Sequence, residues 1–124
     1  MLININFRDS RPIYEQVKTA LRKLIVSGAM SPDEKLPSVR ELAVEAGVNP
    51  NTVQRALADL ERDGLVFSQR TAGRFVTGDV SMIENAKLRL ADQCVENFLS
   101  EMAKLGCGRD EVIALLQGRK EEEP

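Results

Sequence analysis

Short polar side chains are concentrated in the middle of the sequence, between apolar residues. They are Asn49, Asn51, Thr52, Gln54 and Arg55. Asn51, Gln54 and Arg55 project far enough to reach base edges, whereas Asn49 and Thr52 are suited to hydrogen-bond a phosphate. Exposed helix positions are more often filled by Glu and Lys. The pattern therefore favours contact with nucleic acid over the alternative, an ordinary exposed helix surface.

Three further arginines could face phosphate groups: Arg40, Arg70 and Arg74. The last two lie in the stretch 64–78, which contains no carboxylate, and a second such stretch spans 46–58. Alternatives exist for each arginine. Arg40 could pair with a nearby glutamate, and charged residues on a hairpin can simply protect its edge from aggregation.

The overall charge is a weak argument against a nucleic-acid partner. The chain of 124 residues has a formal net charge of −2. However, residues 1–79 hold 11 basic and 10 acidic residues, whereas residues 80–124 hold 6 and 9. With 43% hydrophobic and 29% charged residues, the composition is that of an ordinary folded protein. The excess of acid belongs to the C-terminal part.

Catalytic and metal-binding chemistry is poorly supported. The sequence has no histidine, no glycine-rich phosphate loop and no Cys-x-x-Cys spacing, and we interpret Cys94 and Cys107 as small buried side chains. We therefore expect no enzyme activity, no metal and no cofactor. Neither a signal peptide nor a membrane-spanning run is evident, which favours a cytoplasmic protein.

Two elements are predicted before the polar cluster. Ile3, Ile5 and Phe7 alternate with polar residues, as a short half-buried strand or arm would. A first helix, with Pro12 in its first turn, continues to Ser27. Its apolar residues recur at helical spacing: Ile13, Val17, Leu21, Leu24 and Ile25.

The polar cluster itself begins a helix that closely follows another. Ser38 and Glu41 form a capping-box pattern at the start of a second helix, which continues to Ala46. Gly47 suits its end, and Asn49 and Pro50 suit the start of a third helix. That helix continues to about Asp63. Its packing side consists of Val53, Ala56, Leu57 and Leu60. Its outer side consists of Asn51, Arg55, Ala58 and Arg62. Two helices joined by such a short turn form a helix-turn-helix.

Two β-prone runs follow, 65–67 and 75–77. They predict a hairpin, or wing, with a basic tip spanning 69–74. The predicted fold is thus mainly α with a small β-hairpin: a winged helix-turn-helix over residues 1–79 and a short helical region over residues 80–124.

The C-terminal region carries a heptad seam, made of Leu88, Ala91, Val95, Phe98, Met102 and Leu105. Gly106 and Gly108 interrupt it, and a last helix spans 110–116 before a charged tail that we expect to fray. The seam predicts a homodimer, with Cys94 beside it. The alternative is packing on the chain's own winged helix.

Three segments carry a resemblance to a known family: 36–43, 47–57 and 60–65. They closely resemble the GntR family of transcription regulators, and the short helical tail looks like the YtrA-type subfamily. The resemblance is strong over residues 8–78 and loose over 80–117. It implies a repressor that binds double-stranded DNA. The residues that it implies for DNA contact are Arg40, Asn49, Asn51, Thr52, Gln54 and the wing near Arg70.

The sequence departs from the family pattern at two places. Pro50 stands where many relatives have arginine, and Thr71 and Arg74 stand where a glycine and a small hydroxyl residue are usual. The base preference of relatives therefore does not carry over. A winged-helix adaptor that binds proteins is the alternative function, and a small-molecule effector at the dimer interface stays open.

Overall fold

The computed structural model describes residues 3–120 and shows five helices and one hairpin in that range. In chain order the elements are α1 (Ile13–Val26), α2 (Val39–Ala46), α3 (Pro50–Arg62), β1 (Val66–Gln69), β2 (Gly73–Val76), α4 (Val80–Lys104) and α5 (Arg109–Gln117). The chain divides into two compact units, Met1–Lys87 and Leu88–Pro124. The division falls within α4.

Of the two alternatives for the N-terminal segment, strand or arm, the structure shows the arm, because residues 3–6 are irregular and Phe7 begins a turn. Ile3 is buried in the core, whereas Phe7 is 65% exposed. The backbone of Asn6 is bonded by a side chain rather than by a neighbouring strand: its N–H donates to Oε1 of Gln16 at 2.8 Å, and its carbonyl accepts from Nε2 at 3.0 Å. The segment is therefore an arm fixed on α1.

Helices α1 and α3 form the centre of the first unit. Val17, Leu21 and Ile25 of α1 are buried together with the apolar side of α3, as the helical spacing predicted. An ion pair lies at the edge of the contact between α1 and α3, where Lys18 Nζ is 3.1 Å from Asp63 Oδ2. Burial of these aliphatic side chains is the main source of the unit's stability.

Local capping signals define the helix-turn-helix. The Glu41 N–H donates to Ser38 Oγ at 3.1 Å, and the Ser38 N–H donates to Glu41 Oε1 at 3.0 Å, which confirms the capping box. Gly47 ends α2 in the left-handed region at φ 68°, where a side chain would be strained. Asn49 caps α3, and Pro50 is its first residue.

The wing is an antiparallel pair of β1 and β2, joined by a turn of residues 70–72. Gly73 follows the turn at φ 107°. β2 is also bonded on its other side by the loop before α2: the Leu36 N–H donates to the Arg74 carbonyl, and the Val76 N–H donates to the Glu34 carbonyl, each at 2.9 Å. The basic tip predicted over 69–74 is thus too wide, because Arg74 belongs to a strand.

The second unit contains most of α4 and all of α5. α4 ends at Lys104, so Leu105 lies one residue beyond the helix, and Gly106 follows in a left-handed conformation. The last helix is confirmed, with Asp110 and Glu111 in its first turn. The charged tail that we expect to fray follows residue 116, and its residues 121–124 lie outside the described residues.

The prediction that both cysteines are buried is wrong. Cys94 is exposed and Cys107 is partly exposed. A hydrogen bond with Glu111 raises the pKa of the Cys107 thiol. Cys94 lies on α4, and Cys107 lies in the loop between α4 and α5.

Candidate DNA-binding surface

One side of α3 exposes Asn51, Gln54, Arg55, Ala58 and Arg62, and we call these five residues the outer face of α3. Glu61 is also exposed, at the edge of this face, and its carboxylate is engaged by Ser68 and Arg74 of the wing. The five positions lie on one side of the helix because successive residues are about 100° apart. The opposite side is buried. The outer face carries amide and guanidinium groups and no carboxylate, as a surface that approaches DNA requires.

The N-terminal turn of α3 presents two further polar residues. Asn49 is exposed and its Oδ1 accepts the Asn51 N–H at 2.8 Å, so the side-chain oxygen is occupied by the cap and the side-chain amide nitrogen is the group that can donate to a ligand. Thr52 is partly buried. Backbone amides and short donors at a helix N-terminus form a favourable place for a phosphate.

The carboxylates near the outer face are paired with cations. Asp59 Oδ1 lies 3.0 Å from Arg62 Nη1, and its Oδ2 lies 3.8 Å from Lys18 Nζ. Asp63 pairs with Lys18 and with Arg22. These acidic groups of α3 are therefore locally neutralised, and the negative net charge of the chain does not describe this surface.

Arg40 and Arg70 are both exposed, in the first turn of α2 and in the wing turn. Within residues 3–120, neither has a carboxylate oxygen within 4.0 Å. The alternative pairing of Arg40 with Glu41 or Glu45 is therefore not formed. Glu41 is instead engaged by Ser38, whose hydrogen bonds hold the pKa of the Glu41 carboxyl below its ordinary value of 4.5.

Arg74 differs from Arg70 in being tied to α3. Its Nε lies 3.8 Å from Glu61 Oε1, and the Ser68 hydroxyl donates to the same oxygen at 2.7 Å. Glu61 thus contacts both strands of the wing. Arg74 Nε is buried and, in the described part of the chain, has no hydrogen-bond partner of its own. Much of this side chain supports the wing rather than facing outward.

Arg55 lies on an aromatic ring. Its Cζ is 3.6 Å from the ring centroid of Tyr14, in the first turn of α1. Sequence reasoning missed Tyr14, and it also missed Glu61 and Ser68. Their partners are distant in the sequence, and no local pattern connects them. The only available signal for Tyr14 was that it is the one tyrosine of the chain.

The predicted seam in the second unit is largely open. Leu88, Ala91, Val95, Phe98 and Leu105 are exposed, and Met102 is partly buried. Phe98 and Met102 of α4 line a groove of about 320 Å³ with Leu115, Leu116 and Arg119. None of the helices over residues 3–120 is both long and apolar enough to cross a lipid bilayer.

The family model described as bacterial regulatory proteins, gntR family, matches residues 13–76. The chain is 36% identical over 107 residues to YhcF of Bacillus subtilis, an uncharacterised HTH-type transcriptional regulator, covering 86% of this chain and 88% of YhcF. It is 43% identical over 91 residues to the HTH-type transcriptional repressor YtrA of the same organism, covering 73% of this chain. The chain spans only 65% of the length of YtrA.

Solved structures give the same result. A GntR family transcriptional regulator from Listeria monocytogenes, 41% identical, superposes with a TM-score of 0.82 over 92% of this chain and 100% of that chain. The DNA-binding domain of AraR, solved in complex with operator ORX1, is 37% identical and superposes with a TM-score of 0.53 over 54% of this chain and 81% of that chain. The helix-turn-helix, the wing and these matches together show that the chain belongs to the GntR family and is of the YtrA type.

Proposed function

We propose that this protein is a site-specific DNA-binding transcription regulator, acting as a repressor in the cytoplasm. The observation that carries the proposal is the outer face of α3, which is free of carboxylates and belongs to the second helix of a helix-turn-helix typical of the GntR family. In helix-turn-helix proteins the second helix enters the major groove, where its side chains reach base edges. A repressor of this kind acts by occupying promoter DNA.

The side chains differ in what they contact. Asn51 and Gln54 project from the outer face of α3 and bind base edges, because an amide can form two hydrogen bonds with one base. Arg40, Asn49 and Thr52 bind phosphates at the ends of α2 and α3. Their contacts set the register of the protein on the duplex.

The wing adds a weaker set of contacts. Arg70 lies in the exposed turn and binds phosphate or the minor groove beside the reading site. Arg74 belongs to the same basic stretch, but its proximity to Glu61 limits it to a minor contact. We therefore expect a larger loss of affinity on truncation of Arg70 than of Arg74.

The second unit makes the protein a homodimer. Among its described residues, Val112 is the only hydrophobic residue that is fully buried, so this unit lacks a core of its own. The exposed seam on α4 is apolar, and a symmetric partner would cover it with the same surface. We assign residues 1–79 to DNA binding and 80–124 to dimerisation. The dimer places two α3 helices in successive major grooves, about 34 Å or 10 base pairs apart.

Selection from a random duplex library tests this function. The purified protein should enrich a pseudo-palindrome whose half-sites lie about 10 base pairs apart. Fluorescence anisotropy should then show tight binding that resists excess unrelated duplex and weakens with salt. Binding that any duplex displaces, or no binding at all, would contradict the proposal and favour the protein-binding adaptor.

A further inference from the structure

The single tyrosine of the chain lies against the outer face of α3. Tyr14 is the second residue of α1, and its partly exposed ring lies under the Arg55 guanidinium, with 3.6 Å between the ring centroid and Cζ. This distance is well inside the limit of about 6 Å for a cation–π contact. The two residues join helices that already pack closely through the core.

Arg55 has no competing partner in residues 3–120, where no carboxylate oxygen lies within 4.0 Å of its guanidinium. The nearest acid along its helix face, Asp59, is engaged by Arg62 and Lys18. A guanidinium that stacks on a ring keeps its N–H groups in its own plane, directed outward. Stacking on Tyr14 thus restricts the Arg55 side chain and leaves the N–H groups of its guanidinium available to a ligand.

We propose that Tyr14 is a positioning residue that holds Arg55 for contact with a DNA phosphate. The inference rests on the proposed function and concerns the same surface. Because Tyr14 belongs to α1, it draws the guanidinium towards the flank of α3 that lies beside α1. When a helix occupies the major groove, base edges lie beneath it and phosphates lie at its flanks. Arg55 therefore adds affinity that does not depend on base sequence.

Tyrosine labelled with ¹³C in the ring gives a direct test, because the chain has one tyrosine and hence one set of ring signals. The selected operator and an unrelated duplex of equal length are each added to the full protein. A phosphate contact shifts the Tyr14 ring signals with both duplexes. A shift with the operator alone would indicate base reading and overturn the proposal, as would no shift with either.

Binding by variants separates the ring from the hydroxyl. Y14F keeps the stacking ring and should bind like the wild type, whereas Y14L should bind both duplexes about threefold more weakly. R55Q should bind both more weakly and lower the slope of log affinity against log salt by about 0.9. Adding Y14L to R55Q should not weaken DNA binding further, because Tyr14 affects binding only by positioning Arg55.

The outcomes against the proposal are distinct. If Y14L binds like the wild type, the ring does not position Arg55. If Y14F is as weak as Y14L, the hydroxyl itself contacts DNA and stacking is not the cause. Thermal unfolding shows whether Y14L is folded, and R55Q, which changes only an exposed side chain, tests the phosphate contact independently. If the wild-type protein selects no DNA, the proposed function fails first.

Discussion

Gln54 and Arg40 are both exposed, and Arg40 has no ion pair within residues 3–120, but they belong to different helices of the helix-turn-helix. Q54A removes a base-reading amide, so operator binding should weaken by about 1–3 kcal/mol while unrelated DNA is bound as before. R40A removes a phosphate contact, so binding to all DNA should weaken and the salt slope should fall by about 1. Anisotropy titrations at several salt concentrations measure both effects.

Lys104 provides the matched control for these variants. It belongs to the part of α4 in the second unit and pairs with Glu101 at 3.1 Å. K104A should leave both affinities unchanged. Equal losses of operator and unrelated DNA in Q54A would show that Gln54 does not read bases.

Glu41 gives a prediction about pH. The hydrogen bonds from Ser38 lower the pKa of the Glu41 carboxyl in the folded protein below its ordinary value of 4.5. Its contribution to the free energy of unfolding is therefore fully present above pH 4.5 and is lost as the pH falls through the lowered pKa. Thermal unfolding should show a gap in Tm between wild type and E41Q at neutral pH that closes in acid. A gap that persists in acid would refute this linkage.

At the scale of elements, Glu61 joins α3 to the wing. E61A removes the acceptor for the Ser68 hydroxyl and the charge facing Arg74, at a cost of about 1 kcal/mol in total. Amide hydrogen exchange in β1 and β2 should accelerate, while exchange in α1 changes little. S68A, which loses only the hydrogen bond, should give a smaller effect. Unchanged exchange of the wing in E61A would mean that the loop before α2 alone fixes the wing.

The sequence predicts elements well where their signals are local. The capping box at Ser38, the stop at Gly47 and the cap at Asn49 each depend on neighbours within a few residues, and all three are confirmed. Alternation at Ile3, Ile5 and Phe7 left a strand and an arm open, because it does not reveal whether a partner strand is present, and the structure shows the arm. Arg74 is predicted in the tip of the wing but lies in β2. Its position depends on the Glu61 carboxylate and on the loop before α2, which are distant from it in the sequence.

In the candidate DNA-binding surface, too, features with a local signal could be predicted and features that depend on packing between helices could not. The outer face of α3 follows from helical periodicity alone, so its exposed residues could be predicted and are confirmed as exposed. The contact of Arg55 with Tyr14 depends on how α1 packs on α3, which no spacing within either helix reveals. Which of these residues touch DNA stays a prediction.

For the whole molecule, the proposed dimer depends on the open seam on α4. Phe98 is 42% exposed and belongs to both the seam and the groove formed with α5. F98D would bury a charge in the proposed interface, so it should convert the dimer to a monomer. Analytical ultracentrifugation measures this change. Binding to the full palindrome should fall strongly, whereas binding to a half-site should persist.

Ser100 offers a control on the same helix. It is exposed and lies outside the seam, so S100D should remain dimeric with normal operator affinity. If F98D is also dimeric, the seam is not the interface. If the wild-type protein is itself a monomer, the assignment of residues 80–124 fails.

The wing turn has a consequence for how such regulators diverge. β2 is bonded on one side to β1 and on the other to the loop before α2, so the strands beneath the turn do not depend on the turn for support. Residues 70–72 can then gain, lose or exchange side chains at little cost to folding. Given the proposed contact of Arg70 with DNA, changes in this turn would alter binding to an operator while the core stays the same. Selection for new targets and selection for stability would act on separate residues.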